Sequence, residues 1–454
     1  MHPLLVRKVL WPLHERLLGK RTRTWLGELD RTQWLPPAAL EEYRFARLKR
    51  LLEYAYAHVP YYRRRFDEHG IPPRRIQSFD DFTAVPMLTR EDVRAHFDDL
   101  TPRPLFAGSR RFSTGGSTGS PVTLLIDMER MAFSDASRLR AHGWFGLPPG
   151  VPEVALWGST RDLSRQGVLR SLRDRLLNYR TLSAFDMRAE RLAQYARTLH
   201  RFRPAKIYGY ATALTLLAQY LASHDLRHVA GSLQAVFSTA EPLFDYQRAA
   251  IRDGLGCRVA EEYGARDAGL VANECPEGGL HVNAEGIHAE RIGPPDSPGE
   301  LIITNFDTPA MPIIRYRTQD LALGAERPCA CGRTLPLIGR VQGRRTDFLV
   351  TPSGKVLHAL AVIYVLREAP AVEEFQVLQD ALDHVVVNVV PGRAFETEHT
   401  VDIRRKLRGV LGPGVAVDVV LVSHIERPES GKHRYVVSTV ADQHLRELVE
   451  GSRR

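Results

Sequence analysis

Cysteine is scarce, with four in 454 residues. A small secreted framework built on disulfides carries far more, so that class is excluded. Long apolar runs are missing too. No stretch of about 18 residues is apolar and free of charge, which argues against a membrane-spanning helix and leaves no stable membrane insertion to expect. The opening Met1-His2-Pro3-Leu4-Leu5-Val6-Arg7-Lys8 lacks the charged, apolar and small-residue order of a cleavable signal, and a cytoplasmic location is the expectation. None of the usual nucleic-acid modules is present, so no nucleic-acid partner is expected. No glycine-rich stretch ends in Gly-Lys-Ser/Thr, which counts against a P-loop phosphotransferase.

What is present is ordinary in bulk. Hydrophobic residues make up 44% and charged residues 25%, the balance of a globular protein long enough for more than one domain. Net charge is +9. Much of the excess falls early, in Arg7, Lys8, Arg16, Lys20, Arg21 and Arg23, then in Arg44, Arg47, Lys49, Arg50, Arg63, Arg64 and Arg65. Such residues form either a solvated helical face or a surface that attracts phosphates, acidic partners or an anionic membrane.

Residues 1–70 read as helices, with apolar residues recurring every three to four positions over 40–57 and a break at Pro60. Thr89, followed by Glu91 and Asp92, starts a short helix. Strands are expected at 122–126, 154–158, 206–209 and 235–239, alternating with helices at 128–142, 187–199, 211–223 and 244–255. That order predicts an α/β sheet covered by helices, with ligands in the crevice at the strand ends. Beyond about residue 275 antiparallel strands are expected. A boundary near 343–347 would separate a large domain over 1–343, its first 100 residues a helical leader, from a small α+β domain over 344–454. The small domain reads as a hairpin at 348–357, helices at 359–368 and 399–411, and strands at 372–378, 385–390 and 416–422.

Five patches carry chemistry. The first is Phe112-Ser113-Thr114-Gly115-Gly116-Ser117-Thr118-Gly119-Ser120-Pro121-Val122. Its glycines allow tight turning and its amides and hydroxyls can nest an anion, as a phosphate loop would; a Ser/Gly surface linker has the same composition. The second is Glu261-Glu262-Tyr263-Gly264-Ala265-Arg266-Asp267, where an aromatic could cover a base and an acid could hold a divalent cation. The third, Arg315-Tyr316-Arg317-Thr318-Gln319-Asp320, ends in a carboxylate able to accept ribose hydroxyls. The fourth is Gly339-Arg340 with Gly343-Arg344-Arg345-Thr346-Asp347, whose arginines suit a sugar or phosphate. Surface ion pairing would explain the third and fourth equally. The fifth, Glu426 to Tyr435, carries Lys432 in a polar turn, either an ordinary surface lysine or a mobile charge for an active site.

The order of these patches resembles the adenylate-forming enzymes, in the phenylacetate–coenzyme A ligase branch with its capsule-biosynthesis, CapK-like relatives. The resemblance runs from about Phe112 to Tyr435. It implies a large N-terminal adenylate-forming domain and a small mobile C-terminal lid. It also implies ATP-dependent activation of a small-molecule carboxylic acid to an acyl adenylate with Mg2+, then transfer to coenzyme A. Ser113, Thr114, Gly115, Gly116, Ser117, Thr118 and Gly119 resemble the loop that holds the ATP phosphates. Glu241-Pro242-Leu243 resembles the segment beside adenine. Tyr263-Gly264 with Asp267 resembles Tyr-Gly-x-Thr-Glu, the tyrosine lying by adenine and the acid binding magnesium. Asp320 resembles the ribose-binding aspartate, Arg344 the arginine near ribose, Asp347 the hinge and Lys432 the catalytic lysine of adenylate formation. Three positions depart from the pattern: Ser120 replaces the loop lysine, Arg266-Asp267 replaces Thr-Glu, and Thr351-Pro352-Ser353-Gly354-Lys355 follows the hinge in place of Arg-Gly-x-Asn. The last of these bears on the substrate class and the coenzyme A step more than on adenylation, and Ser120 and Asp267 leave a non-catalytic reading open. Transfer to an amine or a carrier thiol is the alternative, and a non-catalytic nucleotide-binding protein of the same fold is another. Members of the branch are often dimers, so a homodimer is the leaning.

Cys275 stands six positions before His281, and Cys329 two before Cys331. Thiolates and an imidazole in a closed set of four suit a structural zinc, an arrangement found in some members of the branch. Cys257 reads as a buried free thiol. Trp157, Tyr208, Phe237 and Ala265 are the candidates to line an acyl pocket.

Overall fold

The computed structural model describes residues 1–113, 122–157, 168–184, 187, 189–294, 297–325, 328–344, 348–352, 356–358, 360–367, 369, 371–426 and 435–440. Contacts divide the chain into two units: Met1–Arg291 with Leu301–Thr318 and Leu323–Val341, and Ile292–Glu300 with Gln319–Ala322 and Gln342–Arg454.

In the first unit a long helix, Pro37–His58, opens on a proline at its first position and stops at Val59, ahead of Pro60. A proline costs no hydrogen bond in a first turn but cannot continue a helix from within. The next helix, Pro60–Glu68, uses Pro60 in the same favourable place. Buried Leu48, Leu51, Leu52 and Ala55 pack with Tyr62, Phe66, Phe82 and Leu88 into one core. Thr89 caps Arg90–Ala95 through a reciprocal bond with Asp92, as its sequence pattern requires.

Strands β1 (Arg110–Ser113) and β2 (Thr123–Ile126) form an antiparallel hairpin. The helix Met128–Trp144 follows, capped by Asp127. Then come β3 (Glu153–Leu156), β4 (Tyr179–Leu182), β5 (Lys206–Tyr210), β6 (Ala235–Thr239), β7 (Arg258–Ala265), β8 (Gly269–Glu274) and β9 (Leu280–Val282). Three further strands, β10 (Ile287–Ile292), β11 (Gly299–Asn305) and β12 (Ile313–Ala322), precede the two-residue β13 (Leu337–Ile338). An eight-stranded sheet takes the order β13-β9-β8-β7-β6-β5-β3-β4, and a four-stranded sheet has β10-β11-β12 followed by β14 (Val341–Arg344).

The parallel register of β3, β5, β6 and β7 aligns Ala155, Tyr208, Phe237 and Ala260 in one row. This face packs on Phe145 and Leu147. The opposite face, with Val154, Ile207 and Val236, packs on Leu192, Leu199, Leu214, Leu217 and Ile251 of the helices Ala189–Phe202, Ala211–Ser223 and Asp245–Leu255. The fold is therefore α/β, as expected. Within the large sheet, antiparallel pairing begins earlier than residue 275, at the turn between β7 and β8. The helix Val168–Leu176 and strand β4 had no expectation in the sequence.

The second unit is α+β. Hairpin β15 (Phe348–Val350) with β16 (Val356–His358) precedes the helix Leu360–Arg367. Strands β17 (Val372–Ala381), β18 (His384–Pro391), β19 (Ala416–Leu421) and β20 (Val436–Ser438) form a sheet of order β19-β18-β17-β20. Every second residue of β18, namely Val385, Val387 and Val389, is buried. The buried Gln379 amide binds the Val350 N–H at 3.0 Å and its C=O at 2.6 Å, and accepts from Ser438 Oγ at 2.9 Å.

Candidate active site and metal cluster

The turn from β7 to β8 presents a buried acid. Asp267 Oδ2 accepts from the hydroxyl of Tyr316, on β12, at 2.8 Å, and Oδ1 accepts from Ala268 N at 3.2 Å. Arg130, from the helix Met128–Trp144, holds the turn's backbone, donating to Arg266 O at 2.8 Å and Asp267 O at 3.0 Å. Burial pushes the Arg130 guanidinium down to about 10, opposed by Asp267 and Asp127, so it stays charged near neutral pH. Its Nη1 is buried with no hydrogen-bond partner among the described residues. Tyr316 and Arg130 are neighbours of Asp267 that sequence reasoning passed over. Tyr316 lay inside a quoted patch, whereas nothing marked Arg130.

Tyr263 is buried on β7, where the register with β8 shifts between Tyr263 and Gly264. A Cβ at Gly264 would lie 2.8 Å from Gly269 O and 3.1 Å from Leu270 Cα, so this close approach of two backbones admits only glycine. Glu241 follows Ala240, whose φ of 65° is left-handed, and its Oε2 accepts from Thr212 N at 2.8 Å in the first turn of the helix Ala211–Ser223. A carboxylate there meets the positive end of that helix.

An aromatic step stands at the ends of β3 and β5. Trp157 stacks on Tyr210 at 4.4 Å and on Tyr208 at 5.7 Å, and remains 36% exposed. The Tyr208 hydroxyl donates to Glu262 Oε1 at 3.0 Å, with Thr239 Oγ1 at 3.4 Å from the same oxygen. Glu262 Oε2 is buried without a hydrogen-bond partner among the described residues, and burial raises its pKa above the usual carboxyl range. Phe237 is a core residue: it stacks on His142 at 3.8 Å and meets Phe145 edge-on at 5.3 Å.

Four metal-type donors converge elsewhere in the first unit. One ligand atom from each of Cys275, His281, Cys329 and Cys331 lies within 4.8 Å of the others. Cys275 Sγ is 3.4 Å from Cys329 Sγ, and Cys331 Sγ is 3.2 Å from His281 Nε2. The His281 Nδ1 side faces Leu335 O at 3.3 Å, which leaves Nε2 for a metal. Tetrahedral zinc with bonds of about 2.0–2.3 Å needs donors roughly 3.5 Å apart, which this set supplies. Gly279 makes room: a Cβ there would lie 2.6 Å from Cys329 Sγ. Cys257 is half-buried, and burial pushes its thiol up to about 12, away from the thiolate form.

A family model described as the CapK C-terminal domain matches residues 349–439. The chain is 25% identical over 444 residues to a phenylacetate-coenzyme A ligase of Thermus thermophilus, covering 89% of this chain and 97% of that protein. It is 24% identical over 411 residues to Protein CapK of Staphylococcus aureus, covering 88% and 90%. The chain is similar over most of its length to phenylacetate–coenzyme A ligases and to CapK. The fold agrees. A crystal structure of 2-hydroxyisobutyryl-CoA ligase with 2-HIB-AMP superposes with a TM-score of 0.70 at 20% identity, over 93% of this chain and 94% of that one. ATP-bound MatB from Rhodopseudomonas palustris superposes at 0.51 and 16% identity, over 74% and 68%.

Several of the residues expected from this resemblance have described positions. Ser113 closes β1, Tyr263 and Gly264 end β7, Asp267 lies in the following turn, Asp320 is buried near the end of β12, and Arg344 is the last residue of β14. Tyr263, Gly264, Asp267 and Glu241 fall in the first unit and Asp320 in the second. Thr114, Gly115, Gly116, Ser117, Thr118, Gly119, Asp347 and Lys432 lie outside the described residues.

Proposed function

We propose that this chain activates a small carboxylic acid with ATP, releasing pyrophosphate and forming an acyl adenylate, and passes the acyl group to the thiol of coenzyme A. One observation carries the reading: a buried carboxylate, Asp267, is held by Tyr316 and Ala268 in a turn whose backbone is fixed by Arg130, one short step along the chain from the aromatic Tyr263. The run of relatives named for ligation to coenzyme A, matched over most of their length, supports it.

In this reading the loop Ser113–Gly119 offers amide and hydroxyl donors to the ATP phosphates. Tyr263, Gly264 and Glu241 border adenine, Asp320 accepts the ribose hydroxyls, and Arg344 lies toward the ribose. Asp267 would hold Mg2+, whose preference for oxygen ligands a carboxylate meets; the ion neutralises phosphate charge when bound. Tyr316 fixes the carboxylate's orientation. Lys432, on a small domain over 344–454 hinged at Asp347, stabilises the charge developing as the adenylate forms. Cys275, His281, Cys329 and Cys331 fill all four positions of a structural zinc, which leaves no open position for catalysis.

A second reading keeps adenylation and changes the acceptor to an amine or a carrier thiol. The match of residues 349–439 to the CapK C-terminal domain favours it, because that stretch follows the hinge. Pyrophosphate release over a panel of acids, with and without coenzyme A, tests both. Release on one acid with a thioester formed only when coenzyme A is present supports the first. Release without a thioester supports the second. No release on any acid, with ATP still bound, leaves a non-catalytic nucleotide-binding protein.

A further inference from the structure

The leading helical segment offers a surface that none of this chemistry uses. Pro3–Leu5, Val6–Leu10 and Trp11–Leu17 run on from one another as helix, with a wider turn in the middle. The inner side is fixed to the first unit. Val6 is buried, and Gly150 approaches so closely that a Cβ there would meet Pro3 O at 2.8 Å and Arg7 N at 2.9 Å. The buried Glu15 accepts from Thr22 N at 3.2 Å.

The outer side is apolar and basic. Leu5, Val9, Leu13 and Leu17 recur every fourth residue and are all exposed, Leu13 by 53% and Leu17 by 78%. Side chains at that spacing share one helix face. The helix Val168–Leu176 adds exposed Leu172 and Leu176, and it lies alongside, since Asn178 Nδ2 donates to Met1 O at 2.9 Å. Arg7, Lys8 and Arg16 are exposed among the leucines. Between residues 1 and 27 the sequence has one carboxylate, Glu15, and it is turned inward. A row of exposed apolar side chains on one helix face suits an interaction surface.

We propose that this face docks the protein onto an anionic lipid surface. The helix lies in the plane of the interface, its leucine row in the acyl boundary and Arg7, Lys8 and Arg16 among the head groups. Charge selects this occupant over a second copy of the chain. A two-fold pairing would set the same cations against one another, with no exposed carboxylate in the segment to answer them. Among the described residues no helix is long and apolar enough to cross a membrane, so the contact is peripheral.

The test is co-sedimentation of the full chain with vesicles of phosphatidylcholine alone or mixed with phosphatidylglycerol, at about 0.1 M and about 0.5 M salt. The expected result is binding to the mixed vesicles at low salt that falls at least tenfold (~10×) at high salt or on phosphatidylcholine alone. The double variants Leu13→Asp/Leu17→Asp and Arg7→Glu/Lys8→Glu each weaken binding by about tenfold or more, with the thermal midpoint unchanged because these side chains are exposed. Absence of binding by the unsubstituted chain overturns the proposal. So does binding indifferent to salt and to both variants. A concentration-dependent dimer in analytical ultracentrifugation, abolished by Leu13→Asp/Leu17→Asp and accompanied by no vesicle binding, also overturns it and makes a second copy the occupant.

Discussion

Replacing Tyr316 with phenylalanine separates the chemistry of the β7–β8 turn from its packing. The ring is fully buried, and phenylalanine keeps it; only the hydroxyl that donates to Asp267 Oδ2 at 2.8 Å is lost. A hydrogen bond to a charged group is worth about 1.5–3 kcal/mol, and among the described residues Asp267 then keeps the Ala268 N–H as a donor. If the carboxylate's orientation serves the reaction, a loss of that size lowers kcat/KM for pyrophosphate release by about 10- to 100-fold, the range typical for outer partners of metal-binding carboxylates. The Mg2+ concentration at half-maximal rate rises with it. Asp267→Asn, which changes the group itself, loses more. Steady-state pyrophosphate release titrated with Mg2+ measures both effects, and a thermal melt controls for folding. A Tyr316→Phe enzyme within about twofold of the parent, with the same Mg2+ dependence, would refute the role assigned to this turn.

Other expectations follow from the buried polar groups. Cys329→Ser lowers bound zinc from one per chain toward zero by elemental analysis, because it removes a donor from the set gathered around His281; full retention would count against the cluster. Glu285→Ala strands Arg140, whose Nη1 donates to Glu285 Oε1 at 2.5 Å with both side chains fully buried. It costs about 3–5 kcal/mol in urea unfolding, and a change below ~1 kcal/mol would contradict that. His288 stacks on Phe79 at 4.5 Å, and burial, then Arg44 and Arg315, push its pKa down from 6.5 to about 3. A depressed imidazole takes up its proton only on unfolding, so stability is full above pH 6.5 and falls toward pH 3, by up to about 1.4 kcal/mol per pH unit. His288→Phe flattens that acid limb in melts at pH values between those limits, and equal slopes in the two proteins would show that another group is responsible.

The sequence disclosed most where pattern and local chemistry agree. The helix Ala211–Ser223 and the strand Ala235–Thr239 have the bounds expected of them, because an unbroken apolar strand and a regular helical period leave little room for another reading. The four metal-type donors were also legible, since spacing of cysteine and histidine is itself the signal. Strand β4 was not: Tyr179-Arg180-Thr181-Leu182 is short and polar, and it pairs with β3 only after an intervening helix. The early reversal at β7–β8 was hidden because Glu261, Glu262, Arg266 and Asp267 read together as one chemical patch, whereas Glu261 and Glu262 belong to β7 and Arg266 and Asp267 to the turn after it. Tyr316 stands 49 residues from Asp267, and Arg130 is 137 from it. Such partnerships depend on which strands lie together, which periodicity does not specify.

The large sheet ends, on the β13 side, with a strand of two residues, and beside it lie the donors Cys275, His281, Cys329 and Cys331. A sheet margin left bare is a template for other chains, and so brief a terminal strand offers almost nothing to copy. A metal held by these four donors would pin the 328–332 loop to β9 and keep that short strand in place over Leu280 and His281. Loss of the pin would uncover the unsatisfied amides of β9, so damage at the cluster would first be visible as clumping of intact protein rather than as lost turnover.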